Sequence, residues 1–209
     1  MPNKRFFFVF AVSLAAGFLF SFYRSARDSA RTVPAEAGKG AVMKADGRRS
    51  ETATLAGGCF WGMEEILGKT PGVTGAVVGY TGGNFADPKY EDVTTGKTGH
   101  AESIEITFDP DQLAYGALLD LFFRMHDPTT PNRQGNDIGS QYRSAIFYRG
   151  ESQKKEAEAA VSRAKASGRW KRPVATEIVP AGKFWPAEDY HQDYLKKHPG
   201  GYTCHYIRE

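Results

Sequence analysis

The stretch "AESIEITF", residues 101–108, alternates polar and apolar side chains with a period of two. Ile104, Ile106 and Phe108 fall on one face of the predicted strand, and the residues between them fall on the other. A strand with a single apolar face belongs to a sheet that is covered on one side. The stretch therefore predicts a sheet with a layer packed against one of its faces.

Helices and strands interleave around this stretch, and the chain has no internal repeat. Asp109-Pro110 predicts the start of a helix, because Asp caps helices and Pro favours the first helical position. Interleaved elements on a one-sided sheet predict an α+β fold, a two-layer α/β sandwich. Further strands are predicted at 52–56, 73–82, 144–150 and 173–180, and helices at 59–67, 109–125, 151–168 and 186–198.

The N-terminal region differs from the rest of the chain. A basic start precedes the uncharged, apolar run 6–23, and a polar stretch follows it. This pattern predicts a signal peptide or membrane anchor at 1–23, a flexible linker at 24–50 and a folded domain at 51–209. No clean small-x-small cleavage site follows the apolar run, which favours an anchor. We therefore expect export to a periplasmic or other extracytoplasmic location.

Charge and ligand-type residues exclude several functions. The net charge of +3 is mild and concentrated at the chain ends, so nucleic-acid binding is not expected. Two cysteines are too few for a disulfide scaffold. His191, His198, Cys204 and His205 are close in sequence, but their spacing matches no zinc site, so no metal is predicted.

Cys59 follows Gly57-Gly58 at the start of a predicted helix. Unpaired N–H groups and the helix dipole stabilise a thiolate there, which predicts a lowered pKa and a nucleophile. The alternative is that Cys59 is a small buried apolar residue. Phe60 and Trp61 could wall a pocket beside the sulfur or simply belong to the core.

Two further segments carry candidate acid–base groups. By strand parity Glu102 shares the apolar face, which would raise its pKa and make it a proton donor; if the strand begins later, it lies at the solvent rim. Asp137 and Tyr142 lie in the long polar loop 126–145, where a pocket role or a turn role is open. Cys204 follows Gly200-Gly201 in the tail, which suits a mobile resolving thiol or a static disulfide.

Five ordered blocks resemble peptide methionine sulfoxide reductase A. They are "GCFWG" (58–62), "PGVTGAVVGYTGG" (71–83), "DPKYEDVTTGKTGHAE" (87–102), "FFRMHDPTTPNRQGNDIGSQYRSAIFY" (122–148) and "PAEDYHQDYL" (186–195). The resemblance covers roughly residues 51–206. It implies a mixed sheet with a ferredoxin-like core, and reduction of the S epimer of methionine sulfoxide, free or in oxidised proteins, as a repair function.

The resemblance also implies residue roles. Cys59 resembles the nucleophile, Glu102 the acid that protonates the sulfoxide oxygen, and Tyr90 and Tyr142 its hydrogen-bonding partners. Cys204 resembles the recycling cysteine, although the family often has Gly-Tyr-Cys where this chain has Gly-Tyr-Thr-Cys, and there is no third cysteine. Two rings and a carboxylate resemble the substrate pocket: Phe60, Trp61 and Asp137.

The implied reductant is thioredoxin or another dithiol, without a bound cofactor, and a monomer is expected. Three alternatives remain at this point. A thiol–disulfide oxidoreductase usually has Cys-x-x-Cys, which is absent. A cysteine hydrolase could use His100 or His191 as its base. A membrane-tethered module could bind methionine sulfoxide without reducing it.

Overall fold

The structure is a computed structural model that describes residues 42–43 and 49–209. The strands are β1 Val42–Met43, β2 Arg49–Gly57, β3 Val73–Thr81, β4 Ala101–Phe108, β5 Arg133–Gln134, β6 Asp137–Ile138, β7 Ser144–Tyr148, β8 Glu177–Pro180 and β9 Trp185–Pro186. The α-helices are α1 Phe60–Leu67, α2 Tyr90–Thr94, α3 Tyr115–Met125, α4 Glu151–Ala166 and α5 Tyr194–Lys197, and a 3₁₀ helix spans Ser140–Tyr142.

The main sheet of the described residues has the strand order β8-β7-β2-β4-β3-β9, with β1 paired to β2. Each neighbouring pair among its four central strands is antiparallel, and β8 runs parallel to β7. Taken in chain order, β2, β3, β4 and β7 with α1 and α3 follow a βαββαβ path with spatial order 4-1-3-2, which is ferredoxin-like. The predicted α+β sandwich with a mixed sheet is confirmed.

The apolar face of β4 packs as its sequence pattern predicts. Ile104, Ile106 and Phe108 are fully buried in the large core cluster, together with Phe60 from α1 and Phe122 from α3. A smaller cluster contains Ala56, Ala101, Ala145 and Phe147. Burial of such side chains is the main stabilising contribution to a domain of this kind.

The helix predicted at 109–125 begins later, so that prediction is wrong at its N-terminal end. The Asp109 carboxyl accepts the Asp111 N–H at 2.9 Å, and its carbonyl accepts the N–H groups of Gln112 and Leu113. These bonds close one isolated turn, and α3 starts only at Tyr115. Asp109 therefore caps an isolated turn and not the predicted helix, because Ala114 is the N-cap residue of α3.

Regular structure occurs in the predicted loop 126–145 and also in the stretch 82–100 between two predicted strands. The helix α2 lies within 82–100, and the β5–β6 hairpin and the 3₁₀ helix lie within 126–145. The segment 186–198 has only α5 as an α-helix, because its first residues pair with β3 instead. These elements are short, and tertiary contacts rather than sequence periodicity stabilise them.

The sheet extends into the predicted linker 24–50. Val42 and Met43 pair with Ser50 and Arg49, where β2 projects beyond its pairing with β4 and offers free backbone groups. Most of this linker and the predicted signal peptide or anchor at 1–23 lie outside the described residues. Within 42–43 and 49–209, no helix is both long enough and apolar enough to cross a membrane.

Candidate active site

Cys59 is the N-cap residue of α1, as the glycine-led turn predicts. Gly58 before it has φ +106°, and a Cβ at this position would lie 2.5 Å from Cγ of Gln134. Only glycine fits both the conformation and the space. Cys59 makes no side-chain cap, and Phe60 at the first helical position donates its N–H to Oε2 of Glu102 at 3.2 Å. This bond fixes the carboxyl beside the turn that carries the thiol.

A cavity of about 110 Å³ opens at this helix start. Seven of the eight site residues predicted from the sequence line this cavity, and Cys204 is the exception. Tyr202, which the sequence does not predict, is the eighth lining residue. The lining residues are Cys59, Phe60, Trp61, Tyr90, Glu102, Asp137, Tyr142 and Tyr202. The fold thus brings together residues from α1, α2, β4, β6, the 3₁₀ helix and the C-terminal tail.

The resting Cys59 thiol has a raised pKa, so the predicted lowering is wrong for the free protein. Burial is the largest cause, because only 6% of the residue is exposed, and the Glu102 carboxyl adds to it. The N–H of Trp61 acts in the opposite direction, as expected at a helix start, but its effect is smaller. Desolvation thus outweighs the helix terminus, and the sulfur of the free protein is a thiol at neutral pH.

Glu102 lies on the buried face of β4 and is 2% exposed. Burial raises its pKa to about 8, against the smaller opposing effect of the Phe60 N–H. The carboxyl is therefore mostly protonated at neutral pH and can donate its proton into the cavity.

Phe60 and Trp61, which form the apolar wall of the cavity, are held in place by residues outside the cavity. The Trp61 indole N–H donates to Nδ1 of His191 at 3.1 Å, and the Trp61 ring stacks on Tyr194 with centroids 3.7 Å apart. Phe60, which is 1% exposed, also contacts His191, with centroids 5.1 Å apart. Because the indole donates, Nδ1 of His191 is the unprotonated nitrogen of a neutral ring.

Polar groups occupy the other side of the cavity. Tyr202 donates its hydroxyl to Oδ2 of Asp137 at 3.0 Å and is 43% exposed, so it forms part of the rim. Glu188 accepts the backbone N–H of Tyr90 and the hydroxyl of Tyr80, both at 2.9 Å, and so fixes the start of α2. Tyr202 could have been suspected from its place two residues before Cys204, whereas nothing in the sequence indicated the partners of Glu188.

Cys204 lies in a part of the C-terminal tail that hydrogen bonds hold in place, whereas the sequence predicts a mobile tail. The next residue, His205, is 6% exposed and bonds to the Gly57 carbonyl, and Arg208 donates its N–H to the Arg124 carbonyl at 2.9 Å. The backbone N–H of Cys59 and the Asp137 carboxyl both act on the Cys204 thiol, whose pKa burial raises to about 12. Cys59 and Cys204 both carry free thiols.

The alternative sites receive no support from the geometry. His100 bonds through Nδ1 to the Gly83 N–H and through Nε2 to the Phe85 carbonyl, so both nitrogens are engaged away from the thiol. His191 faces Trp61 instead. Among the described residues, no three His, Cys, Asp or Glu side chains are grouped to hold a metal ion.

A buried thiol beside a protonated carboxyl, with a second thiol close by, is the arrangement expected of a thiol-dependent oxidoreductase. The family model "Peptide methionine sulfoxide reductase" matches residues 51–209. The chain is 54% identical over 159 residues to peptide methionine sulfoxide reductase MsrA 1 of Mesorhizobium japonicum, covering 76% of this chain and 90% of that protein. It is 54% identical over 160 residues to MsrA of Streptomyces coelicolor, covering 77% and 91%.

Solved structures agree with these matches. The reduced form of Mxr1 from Saccharomyces cerevisiae is similar with a TM-score of 0.73 and 36% identity, covering 82% of this chain and 98% of that one. Methionine sulfoxide reductase A of Corynebacterium diphtheriae has a TM-score of 0.66 and 40% identity, covering 74% and 77%. The chain belongs to the peptide methionine sulfoxide reductase family, and it is a methionine sulfoxide reductase.

Proposed function

We propose that the chain reduces the S epimer of methionine sulfoxide, free or in oxidised proteins, with Cys59 as the nucleophile. Its sulfur attacks the sulfoxide sulfur while Glu102 delivers a proton to the sulfoxide oxygen, and the proton that the Cys59 thiol loses returns to Glu102. The oxygen passes to Cys59 as a sulfenic acid, and methionine leaves. The observation that carries this proposal is the bond from Phe60 to Glu102, which places a protonated carboxyl at the nucleophile's own turn.

The cavity lining supports a substrate orientation. Phe60 and Trp61 offer an apolar seat for the S-methyl group, and the hydroxyls of Tyr90 and Tyr142 can bond to the sulfoxide oxygen on the side of Glu102. Asp137 lies at the rim, where it can bind the peptide or amino group of the substrate. The small volume suits a side chain rather than a large cofactor, and no bound cofactor is part of the proposed reaction.

Recycling is proposed to use Cys204. Its thiol condenses with the sulfenic acid to give a Cys59–Cys204 disulfide and water, and an external dithiol such as thioredoxin reduces the disulfide. A crystal structure of Mxr1 in complex with Trx2 supports a thioredoxin-like reductant, since that chain is 29% identical with a TM-score of 0.52 over 77% of this chain and 91% of its own length.

Single-turnover assays with resolved S and R sulfoxides test these steps. The reduced protein should form about one methionine per enzyme from the S epimer alone, and Cys59→Ser should form none. Cys204→Ser should keep the first methionine but stop thioredoxin-driven turnover. Reduction of the R epimer, or methionine from Cys59→Ser, would contradict the first step, and normal thioredoxin cycling by Cys204→Ser would contradict the second.

We further propose that residues 6–23 direct the chain out of the cytoplasm and can anchor it to the membrane. The apolar run and its basic flanks support this proposal. An exported reductase would repair oxidised proteins there and would need an extracytoplasmic, thioredoxin-like dithiol. A compartment reporter fused after residue 50 tests the topology, and reporter activity in the cytoplasm alone would contradict it.

A further inference from the structure

His205 forms two contacts that have no role in the proposed reaction as described above. Its Nε2 lies 2.8 Å from the Gly57 carbonyl oxygen, and its Nδ1 lies 3.4 Å from Sγ of Cys204. A carbonyl can only accept a hydrogen bond, so Nε2 carries the proton of the neutral ring and Nδ1 keeps a free lone pair. The thiol of Cys204 is therefore the donor to Nδ1. Burial lowers the pKa of His205 to about 4, which keeps this arrangement at neutral pH.

These contacts fasten the tail to the turn that carries the nucleophile. Gly57 is two residues before Cys59, at the end of β2. A Cβ at Gly62, in the first turns of α1, would lie 2.2 Å from Oγ1 of Thr203 and 2.5 Å from Nδ1 of His205. The tail thus lies directly on α1 at a position that only glycine leaves open, and the imidazole is packed between Gly57 and Cys204.

We propose that His205 is a positioning residue for the resolving step. Its Nε2 ties the tail to the Gly57 carbonyl, and its Nδ1 orients the Cys204 thiol toward Cys59. The Asp137 carboxyl also acts on this thiol, and it competes with Nδ1 of His205 for the single S–H proton. This inference rests on the proposed role of Cys204, because His205 acts only through that residue.

The step that His205 serves is balanced without a further reactant. The Cys204 sulfur attacks the Cys59 sulfur and is oxidised, a sulfur–sulfur bond forms, and the sulfur–oxygen bond of the sulfenic acid breaks. The leaving hydroxide takes the proton of the Cys204 thiol and departs as water. Because attack must come along the line of the breaking bond, a thiol with a fixed direction and distance reacts faster than one that samples many positions.

Three variants at position 205 separate the two contacts. His205→Ala removes both, His205→Asn keeps an acceptor near Nδ1, and His205→Gln can still reach the Gly57 carbonyl. The reduced proteins are mixed with S sulfoxide, quenched with a thiol-blocking reagent at successive times, and analysed for methionine and free thiols. Tyr206→Ala is the matched control, because Tyr206 is adjacent, 62% exposed and in a cation–π contact with Arg208.

We expect His205→Ala to form the first methionine at the parental rate and the disulfide about tenfold more slowly, which corresponds to losing one or two hydrogen bonds. His205→Asn and His205→Gln should each recover part of the lost rate of disulfide formation. Thioredoxin-driven turnover should fall, whereas turnover with excess dithiothreitol, which can reduce the Cys59 sulfenic acid directly, should not.

A parental disulfide rate in His205→Ala overturns the inference. The inference also fails if His205→Ala slows methionine formation as much as disulfide formation, because His205 would then support the fold of the whole site. The Cys204→Ser assay remains independent: if that variant cycled normally with thioredoxin, the proposed resolving role itself would fail, whatever position 205 does.

Discussion

Replacing Glu102 with glutamine tests the central electrostatic feature of the site. Glutamine has nearly the same shape, and its carbonyl oxygen can still accept the Phe60 N–H, but it has no proton to lose. Burial raises the Glu102 pKa from its ordinary value of 4.5 to about 8. The native protein therefore binds this proton more tightly than the unfolded chain does.

The sign and size of the stability effect follow from this difference. Between pH 4.5 and pH 8 the folded state holds more protons than the unfolded state, so the parent loses stability as the pH rises. At pH 7 this cost is about 3 kcal/mol, an order-of-magnitude figure. Glutamine does not titrate and therefore does not have this cost, so Glu102→Gln should be more stable than the parent. The difference in free energy of unfolding should be near zero at pH 4.5 and should grow as the pH rises through neutrality.

Thermal unfolding of the reduced proteins at pH 5, 7 and 9 measures the gap, expected at roughly 6 to 12 °C at pH 7 for a domain of this size. Glu158→Gln, at an exposed position on α4, is the matched control for replacing a carboxyl by an amide. The same Glu102→Gln variant should slow methionine formation by about 10² to 10⁴, the usual contribution of a general acid. A stability gap equal at pH 5 and pH 9, or an unchanged rate, would refute the reasoning.

Two further predictions concern the thiol and the aromatic wall. Because burial and Glu102 raise the Cys59 pKa, alkylation of Cys59 in the free protein should be slow at pH 7 and still rising above pH 9, as followed by mass spectrometry; a plateau below pH 7 would contradict the raised pKa. His191→Phe removes the acceptor for the Trp61 indole and should raise KM about fivefold, the value of one hydrogen bond, with less effect on kcat. An unchanged KM in steady-state assays would show that stacking on Tyr194 alone fixes the ring.

Several features could be predicted because they depend on local sequence. The alternation in 101–108 gave β4 its buried face and placed Glu102 on it, and the glycines before Cys59 predicted the start of α1. The start of α3 could not be read in the same way. Asp109 and Pro110 satisfy the rules for a helix start, yet their bonds close a separate turn, and only packing against the core decides where the next helix begins.

The sequence by itself determined the interleaved strands and helices, the scarce thiol at a helix start and the carboxyl on an apolar face. The tertiary structure alone decided the protonation of the site, since the pKa of Cys59 depends on how deeply the closed cavity buries it and on the neighbouring Glu102. It also decided that Cys204 is held rather than mobile, through a histidine that bonds to a glycine 148 residues earlier in the chain. Such contacts join residues that are distant in sequence, and no local pattern records them.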